Sequence, residues 1–353
     1  SRQHRAVGNR SGAVGGRVTL RGRRCAISLI SQALPVAWLR SLAHNALRLG
    51  VGTLKRVNFF VIGAAKCGTT TLFTRLSAHP EVFLSPLKEP NYHSRADLDP
   101  ARFSKAFKAN TKLDLTDYFA APDPLPEMQV GFVREEKDYA RLFSGANDTH
   151  RIVGECSTSY LWSPSAPESL RRDHPDARIV VSLRDPVDRI FSHYLMARKY
   201  GFVKGSVLEA VREDMNHPDP SWGRSELFLE LSCYEAQLAR WKAVFPPEQL
   251  KVLQSADLQK EDTWWTLQEW LGLTPMDLLA GEGAQNANAA GLSRFEGLNR
   301  ILTQTGLKHV LGAALPSGLK QRLLGWYYSA DAVPQMTEEE RKALTALLAQ
   351  AQS

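Results

Sequence analysis

The 353-residue sequence predicts a three-layer α/β/α fold with a mostly parallel central sheet. Short apolar runs typical of buried strands alternate with helical patterns, as in parallel sheets that are covered by helices on both faces. The first apolar run leads into a glycine- and threonine-rich loop and then a helix, a P-loop-like arrangement that suits phosphate binding. The loops that follow parallel strands lie at one edge of the sheet, where ligands bind in such folds.

The elements can be assigned in order along the chain. Strands are predicted at 58–63, 151–155, 177–185 and 249–258. Helices are predicted from the first loop to about residue 76 and at 187–200, 226–245, 263–273 and 337–351. Thr337 is a good N-cap because an acidic first turn follows it. The proline-containing stretch 97–147 reads as an insertion that covers the ligand-binding edge, so no second domain is required.

The charge of the chain is concentrated at its beginning. The net charge is +7, but residues 1–56 hold eleven Lys or Arg and no Asp or Glu. The remainder has 33 basic and 37 acidic residues, which excludes a basic nucleic-acid-binding body. We therefore predict a basic N-terminal arm, residues 1–56, and a single domain, residues 57–353, with no nucleic-acid partner.

The arm leaves three interpretations open. It contains an uncharged run, 25–39, so it is a basic leader ending in a packed helix, a targeting or membrane-surface segment, or a short signal anchor. The four cysteines are scattered without metal-like spacing, and reduced thiols in a cytosolic protein are the simplest interpretation. We predict a cytoplasmic protein with peripheral membrane contact through the arm. A signal anchor would instead place it in the Golgi lumen.

The loop "GAAKCGTTT", residues 63–71, predicts an anion site. Small residues let backbone N–H groups approach an anion, and the following helix directs its positive end to the same place. In a Walker A loop the lysine follows the second glycine, whereas Lys66 precedes Gly68. This order argues against a magnesium-dependent triphosphatase and favours a shorter anion near the 5′ end of a nucleotide. The alternative is a turn that only caps a helix.

Four segments of the chain resemble, in sequence and in their order along the chain, segments of sulfotransferases that use 3′-phosphoadenosine 5′-phosphosulfate. The loop at 63–71 is similar to their 5′-phosphosulfate loop, and "RIVVSLRDPVDRIFSHY", 178–194, is similar to their 3′-phosphate segment. "LKEPNYHS", 87–94, and "GECSTSYL", 154–161, resemble segments of the carbohydrate-type members related to heparan sulfate sulfotransferases. The resemblance covers about residues 57–275.

The resemblance implies a set of donor-binding residues. These are Lys66, Cys67, Gly68, Thr69, Thr70, Thr71, Arg184 and Ser192. Lys66 would neutralise the leaving phosphate, and Arg184 and Ser192 would bind the 3′-phosphate. The alternatives are an ion pair between Arg184 and a neighbouring aspartate and an ordinary helix serine at 192. The implied product is adenosine 3′,5′-bisphosphate, and no metal ion is required.

The resemblance also implies the groups that act on the acceptor. Glu89 is the candidate general base, and His93 is a second candidate because imidazole titrates near neutral pH. Lys88 would bind the sulfuryl group or an anionic acceptor, and Ser157 would lie near donor or acceptor. The plain alternatives are a Glu89–Lys88 surface ion pair and a surface charge at Lys88. The sequence departs from the family at 91–93, where the usual aromatic pair is altered, and at 157–159, where a proline is missing.

The predicted function is metal-independent, in-line transfer of a sulfuryl group to a hydroxyl or an amine. The expected acceptor is a glycan or a similar small hydroxyl compound. Two alternatives stay open at this point: a P-loop nucleotide kinase, which predicts Mg²⁺ dependence, and a non-catalytic nucleotide-binding module, which predicts donor binding without turnover.

Overall fold

The predicted parallel sheet is present and has five strands within the described part of the chain. A computed structural model describes residues 57–280, 292–293, 297, 301–302, 328–329 and 333–352. The strands are β1 (Phe59–Gly63), β2 (Val82–Leu84), β3 (Ile152–Cys156), β4 (Arg178–Leu183) and β5 (Leu250–Gln254). Their order is β2-β3-β1-β4-β5, and all four pairings are parallel. The chain therefore builds one side of β1 and then crosses to the other, which brings the loops after β1, β3 and β4 side by side.

Helices cover the sheet and fill the connections between its strands. They are α1 (Thr69–Ser77), α2 (Lys105–Asn110), α3 (Thr116–Ala120), α4 (Glu136–Arg141), α5 (Ser159–Trp162), α6 (Ala166–Asp173), α7 (Pro186–Tyr200), α8 (Val207–Met215), α9 (Tyr234–Val244), α10 (Glu261–Leu271) and α11 (Glu338–Gln352). A separate antiparallel pair joins β6 (Leu292–Ser293) to β7 (Tyr328–Ser329).

The alternation of side chains along β1 explains the three layers. Phe60 and Ile62 lie in one buried cluster with side chains of α6 and α9, whereas Phe59 and Val61 lie in a second cluster with α1 and α10. Neighbouring strand residues point to opposite faces, so a strand that is apolar at every position needs cover on both sides. Trp264 of α10 belongs to the second cluster and is 1% exposed.

The predicted helix 226–245 is wrong in its first part, because α9 begins only at Tyr234. The Asp214 carboxylate accepts hydrogen bonds from the backbone N–H groups of Glu226, Leu227 and Phe228 at 2.7, 3.2 and 2.9 Å. Leu227 adopts a φ of 53°, which a helix does not allow. A carboxylate twelve residues earlier thus holds this segment as a loop, and a helical pattern does not reveal such a partner.

One smaller prediction also needed correction, and one strand was missed. The last predicted strand ends at Gln254, and 255–259 forms a 3₁₀ turn. The edge strand β2 was not predicted, since three residues are too few to show a period. The Thr337 cap is confirmed: its Oγ1 accepts a hydrogen bond from the Glu340 backbone N–H at 3.1 Å, and the Glu340 carboxylate accepts one from the Thr337 N–H at 2.9 Å.

The predictions for the arm, residues 1–56, lie outside the described residues. Within the part that the structure describes, no helix combines the length and the apolarity that crossing a membrane requires.

Candidate active site

A cleft of about 780 Å³ opens at the carboxyl edge of the sheet. The loops after all five strands contribute to its walls, together with α7, the insertion 97–147 and the segment 222–231. The cleft therefore lies at the edge where the strand order predicts ligand binding.

The loop after β1 presents the N-terminus of α1 to this cleft. Gly68 adopts a φ of +82°, and a Cβ atom there would lie 2.7 Å from the Leu258 side chain, so glycine is required. No side chain in the described part of the chain caps α1. The first-turn N–H groups of Thr69, Thr70 and Thr71 thus face the cleft that these residues line, together with their hydroxyls. This arrangement fits a phosphate or sulfate group.

Lys66 lines the cleft from inside the loop and adopts a φ of 69°. Burial, with added repulsion from Lys199 and Arg189, lowers the pKa of Lys66 from 10.5 to about 8. A cluster of positive charge therefore surrounds the anion site and favours a ligand with several negative charges.

Arg184 also lines the cleft, directly after β4. The neighbouring Asp185 and Asp188 pair instead with Arg341 of α11, at 3.6 and 2.5 Å. The predicted alternative, an ion pair of Arg184 with these aspartates, is therefore not what the structure shows. Ser192 is 8% exposed and lies one helical turn from Asp188, behind the cleft-lining surface of α7.

Glu89 is held in the cleft by two hydrogen bonds. Its Oε1 accepts from the Lys88 ammonium at 3.0 Å, and its Oε2 accepts from the Thr158 hydroxyl at 2.8 Å. The Glu89 backbone, at a φ of 65°, donates from its N–H to the Cys156 carbonyl at 2.8 Å. The carboxylate is therefore fixed at the end of β3 and 16% exposed, which suits a group that must meet a substrate in one orientation.

Lys88 is a buried partner of Glu89 and not a surface charge. Its side chain is 4% exposed. Burial alone would lower the pKa of the Lys88 ammonium, but the Glu89 carboxylate outweighs this effect and holds the pKa above its usual value. Lys88 stays protonated and neutralises the carboxylate beside it.

Ser157 is placed behind the cleft and supports its wall. Its hydroxyl donates to Glu155 Oε2 at 2.6 Å and accepts from the Asn91 N–H at 3.1 Å. The Asn91 side chain in turn donates to the Glu89 carbonyl at 2.8 Å. The residue of this segment that reaches the cleft is Thr158. Because the motif lacks the family's proline, the sequence did not indicate which of Ser157, Thr158 and Ser159 faces the cleft.

The structure does not bring His93 to the cleft. The ring is 1% exposed among aromatic side chains, including Phe60 at 5.7 Å and Tyr139 at 5.4 Å between ring centroids. Its Nδ1 lies 3.1 Å from the Ser169 hydroxyl. Burial, with the nearby charge of His174, lowers the pKa of His93 well below its usual value. A buried neutral ring of this kind stabilises the fold, and it is not placed to deprotonate an acceptor.

Cys67 points away from the cleft into the core. Its thiol is fully buried, 3.5 Å from the Tyr234 hydroxyl, and burial raises its pKa. Its backbone carbonyl accepts a hydrogen bond from the Ser182 hydroxyl at 2.6 Å. Cys67 thus anchors the loop to β4, and its N–H is already bonded to the Ala64 carbonyl at 3.2 Å.

The sequence interpretation missed a row of three polar side chains that contact one another and end in the cleft. Arg189 of α7 is fully buried and donates to His193 Nδ1 at 3.3 Å, and His193 Nε2 lies 3.2 Å from Glu226 Oε2. Both His193 and Glu226 line the cleft. The spacing of 189 and 193 on one helix was visible in the sequence, but Glu226 was hidden in a segment that was predicted to be helical.

Glu155 lies beneath the site and gives a test of its buried hydrogen bonds. Its carboxylate accepts from the Tyr160 and Tyr139 hydroxyls at 2.5 and 3.1 Å as well as from Ser157. Burial raises its pKa from 4.5 to about 7, although the three hydroxyl donors oppose the shift. The folded protein therefore binds this proton more tightly than the unfolded chain does.

We expect the free energy of unfolding to fall as the pH rises from about 4.5 to about 7, by roughly 3 kcal/mol from this group. Below pH 4.5 both states are protonated, and the cost of ionising buried Glu155 appears only above it. Urea unfolding at pH 5 and pH 7.5 should show this decrease in wild type and a smaller one in Glu155→Gln. Equal decreases in both proteins would contradict the assignment.

Among the described residues, no group of three or more His, Cys, Asp or Glu side chains is placed to hold a metal ion.

Two known proteins that this chain resembles are sulfotransferases by name. Human carbohydrate sulfotransferase 15 is 27% identical over 236 residues, which cover 57% of this chain and 40% of that protein. The human bifunctional heparan sulfate N-deacetylase/N-sulfotransferase 3 is 26% identical over 222 residues, 62% of this chain and 22% of that protein. The chain thus spans less than half the length of either relative.

A solved structure shows the same fold. The sulfotransferase from Alicyclobacillus acidocaldarius matches with a TM-score of 0.55 and 24% identity, over 84% of this chain and 92% of that chain. The model of the Sulfotransferase family matches residues 58–273, which include every strand of the main sheet and all of the residues that line the cleft. The chain belongs to the sulfotransferase family.

Proposed function

We propose that this protein transfers a sulfuryl group from 3′-phosphoadenosine 5′-phosphosulfate to a hydroxyl group of a carbohydrate or a similar small acceptor, without a metal ion. The observation that carries the proposal is that a loop lysine at an uncapped helix N-terminus and a fixed carboxylate, Lys66 and Glu89, line one cleft. Family membership supports the donor, and the name of carbohydrate sulfotransferase 15 supports the acceptor class.

The residues of the chain divide the work of this reaction. The donor supplies an activated sulfuryl group on its 5′-phosphate. The N–H groups of Thr69 to Thr71 hold that phosphate, and Arg184 binds the 3′-phosphate. Lys66 stabilises the charge that develops on the phosphate oxygen as the bond from that oxygen to sulfur breaks.

Glu89 acts at the acceptor. As the acceptor oxygen forms its bond to sulfur, Glu89 takes the hydroxyl proton, so that the acceptor attacks as the stronger nucleophile. Thr158 and Lys88 fix the carboxylate in one orientation. Glu89 and Lys66 thus act on the two oxygens that sulfur exchanges.

Calorimetric titration with adenosine 3′,5′-bisphosphate in EDTA tests this proposal. We expect saturable binding at one site. Arg184→Ala should weaken it by roughly 10- to 100-fold, since a hydrogen bond to a charged group contributes about 1.5–3 kcal/mol. Affinity for adenosine 5′-monophosphate, which lacks the 3′-phosphate, should stay the same in this variant.

Arg212→Ala is the matched control, because Arg212 is exposed on α8 away from the cleft. Absence of binding in EDTA would contradict the proposal, and binding of Mg²⁺–ATP in its place would favour a kinase. Equal weakening of both nucleotides by Arg184→Ala would contradict the role of this residue.

We also propose that the protein is cytoplasmic and contacts membranes through its arm. The support for membrane contact is the eleven basic residues and the absence of acidic ones in 1–56. The support for the cytoplasm is the scattered cysteines, which lack the spacing of a disulfide framework, and a signal anchor in the arm would instead place the protein in the Golgi lumen. The full chain should sediment with vesicles that contain anionic lipid and be released by high salt. Equal sedimentation with neutral vesicles would contradict this proposal.

A further inference from the structure

We infer that the part of the cleft formed by Phe107, Trp222 and Glu226 is an acceptor subsite for an uncharged sugar with an apolar face. Trp222 and Phe107 provide the surface for that face, and Glu226 accepts a hydrogen bond from a sugar hydroxyl. The inference rests on the proposed function, since it names the acceptor class of the same cleft.

The walls of the cleft that lie outside the phosphate loop are rich in aromatic side chains. Phe107, Trp222, Tyr200 and Phe202 all line it. Three of these rings lie close together, with centroids 6.4 Å apart for Phe107 and Phe202 and 5.8 Å apart for Tyr200 and Phe202. Tyr200 is 42% exposed, and the other three are partly buried. Aromatic faces of this kind bind C–H surfaces and apolar groups, and they contribute little to the binding of a glycan with many anionic groups.

The aromatic wall is held in place by the residues behind it. Gly223 adopts a φ of +74°, and a Cβ atom there would lie 2.6 Å from the Phe103 ring. The Gly223 carbonyl accepts a hydrogen bond from the Ser104 N–H at 2.8 Å, and the Trp222 ring packs on Trp162 at 5.6 Å between centroids. Trp222 is therefore presented by a fixed backbone, which lowers the entropic cost of binding a ligand against it.

Glu226 is also fixed, and one of its oxygens remains for a ligand. A guanidinium only donates hydrogen bonds, so His193 Nδ1 accepts from Arg189, and the proton lies on Nε2. His193 Nε2–H therefore donates to Glu226 Oε2. The Asp214 carboxylate accepts a hydrogen bond from the Glu226 backbone N–H at 2.7 Å. Within the described part of the chain no hydrogen bond reaches Oε1, and Glu226 is 20% exposed to the cleft that it lines.

The charges in the cleft argue against an acidic acceptor. Four cationic side chains from the described residues line it, namely Lys66, Lys88, Arg184 and Lys199. Four carboxyl groups line it too, namely Glu89, Asp185, Asp188 and Glu226. Burial raises the pKa of Glu226 to about 7, so this group carries only part of a negative charge at neutral pH. The donor brings roughly four negative charges at neutral pH: about two on its 3′-phosphate and about one each on its 5′-phosphate and its sulfuryl group. An acidic glycan would thus add charge where the cations already serve the donor, whereas a neutral sugar adds none.

Matched phenyl glycosides test the inference by calorimetry on the protein saturated with adenosine 3′,5′-bisphosphate. The probes are phenyl β-glucoside, phenyl β-galactoside, phenyl β-N-acetylglucosaminide and phenyl β-glucuronide, and the last carries a carboxylate. We expect at least one neutral probe to bind at least about tenfold more tightly than the glucuronide. Trp222→Ala should weaken that binding by about tenfold or more, and Glu226→Gln by roughly 10- to 100-fold.

The controls separate this inference from the proposed function. Trp265→Ala removes a tryptophan that lies on α10 outside the cleft and should change nothing. Adenosine 3′,5′-bisphosphate should bind all variants equally, and Phe107→Leu replaces Trp222→Ala if the latter fails this check. Tighter binding of the glucuronide, no binding of any neutral probe, or unchanged affinity in Glu226→Gln would overturn the inference. If the wild type does not bind adenosine 3′,5′-bisphosphate, the proposed function is overturned instead.

Discussion

Replacing Glu89 with glutamine is expected to lower turnover by roughly 10²- to 10⁴-fold, while the affinity for adenosine 3′,5′-bisphosphate stays within a few fold of wild type. Glutamine keeps the size of the side chain and its bond from the Thr158 hydroxyl, but it takes no proton from the acceptor. Single-turnover rates at saturating donor measure the first effect, and calorimetry measures the second. Full activity in this variant would contradict the assignment of the base.

The buried ion pair requires a further control in that experiment. Glu89→Gln leaves the Lys88 ammonium, which is 4% exposed, without its carboxylate, and such a change destabilises proteins by a few kcal/mol. The double variant Lys88→Met/Glu89→Gln removes both charges and should recover stability but not turnover. Glu168→Gln, an exposed carboxylate on α6, should change neither quantity.

The same assay separates Glu89 from His93. His93→Gln should lower the melting temperature, because the ring packs among five aromatic side chains, yet the turnover of each folded molecule should persist. A loss of turnover like that of Glu89→Gln, without a loss of stability, would return the role of base to His93.

Replacing Lys66 with alanine is expected to lower turnover by roughly 10²- to 10³-fold, because it removes a cation placed to stabilise the charge that develops on the leaving phosphate. The lowered pKa of Lys66, about 8, adds a dependence on pH. The ammonium is present below about pH 8 and is lost as the pH rises above it. The affinity for adenosine 3′,5′-bisphosphate should therefore fall above pH 8, by at most about tenfold per pH unit.

Lys66→Arg is the matched variant for this prediction, since a guanidinium keeps its charge throughout this range. Its affinity should be nearly constant from pH 7 to pH 9.5 (about the range in which Lys66 titrates). Calorimetry at four or five pH values measures both proteins. The same decrease in wild type and Lys66→Arg would show that another group titrates.

Local patterns and the family resemblance were enough to locate the sheet edge, and eight of the twelve predicted site residues line the cleft. The glycines and threonines around Lys66, and the strand that ends before Arg184, are close to their elements in the chain, so their positions follow from strand and helix periods. The assignment of Glu89 rests on a family resemblance over eight residues, 87–94, and Glu89 lines the cleft. The four predicted strands are all present, and each begins one residue after its predicted start.

The remaining features depend on contacts between distant residues. His93 and Glu89 are four residues apart, yet the first turns into the core, because the left-handed backbone at Glu89 and Asn91 redirects the chain. Glu226 reaches the cleft since Asp214 holds its backbone out of a helix. A single sequence shows the residue types in both cases but not the partners that fix their directions.

Sulfuryl transfer without a metal ion can be measured as the transfer of label from a donor with a radiolabelled sulfuryl group, in EDTA and with a panel of hydroxyl acceptors. We expect label to move to at least one neutral glycoside, adenosine 3′,5′-bisphosphate to appear in equal amount, and Glu89→Gln to bind the donor without transferring label. Label that stays on the donor with every acceptor, or transfer that requires Mg²⁺, would contradict the proposed function.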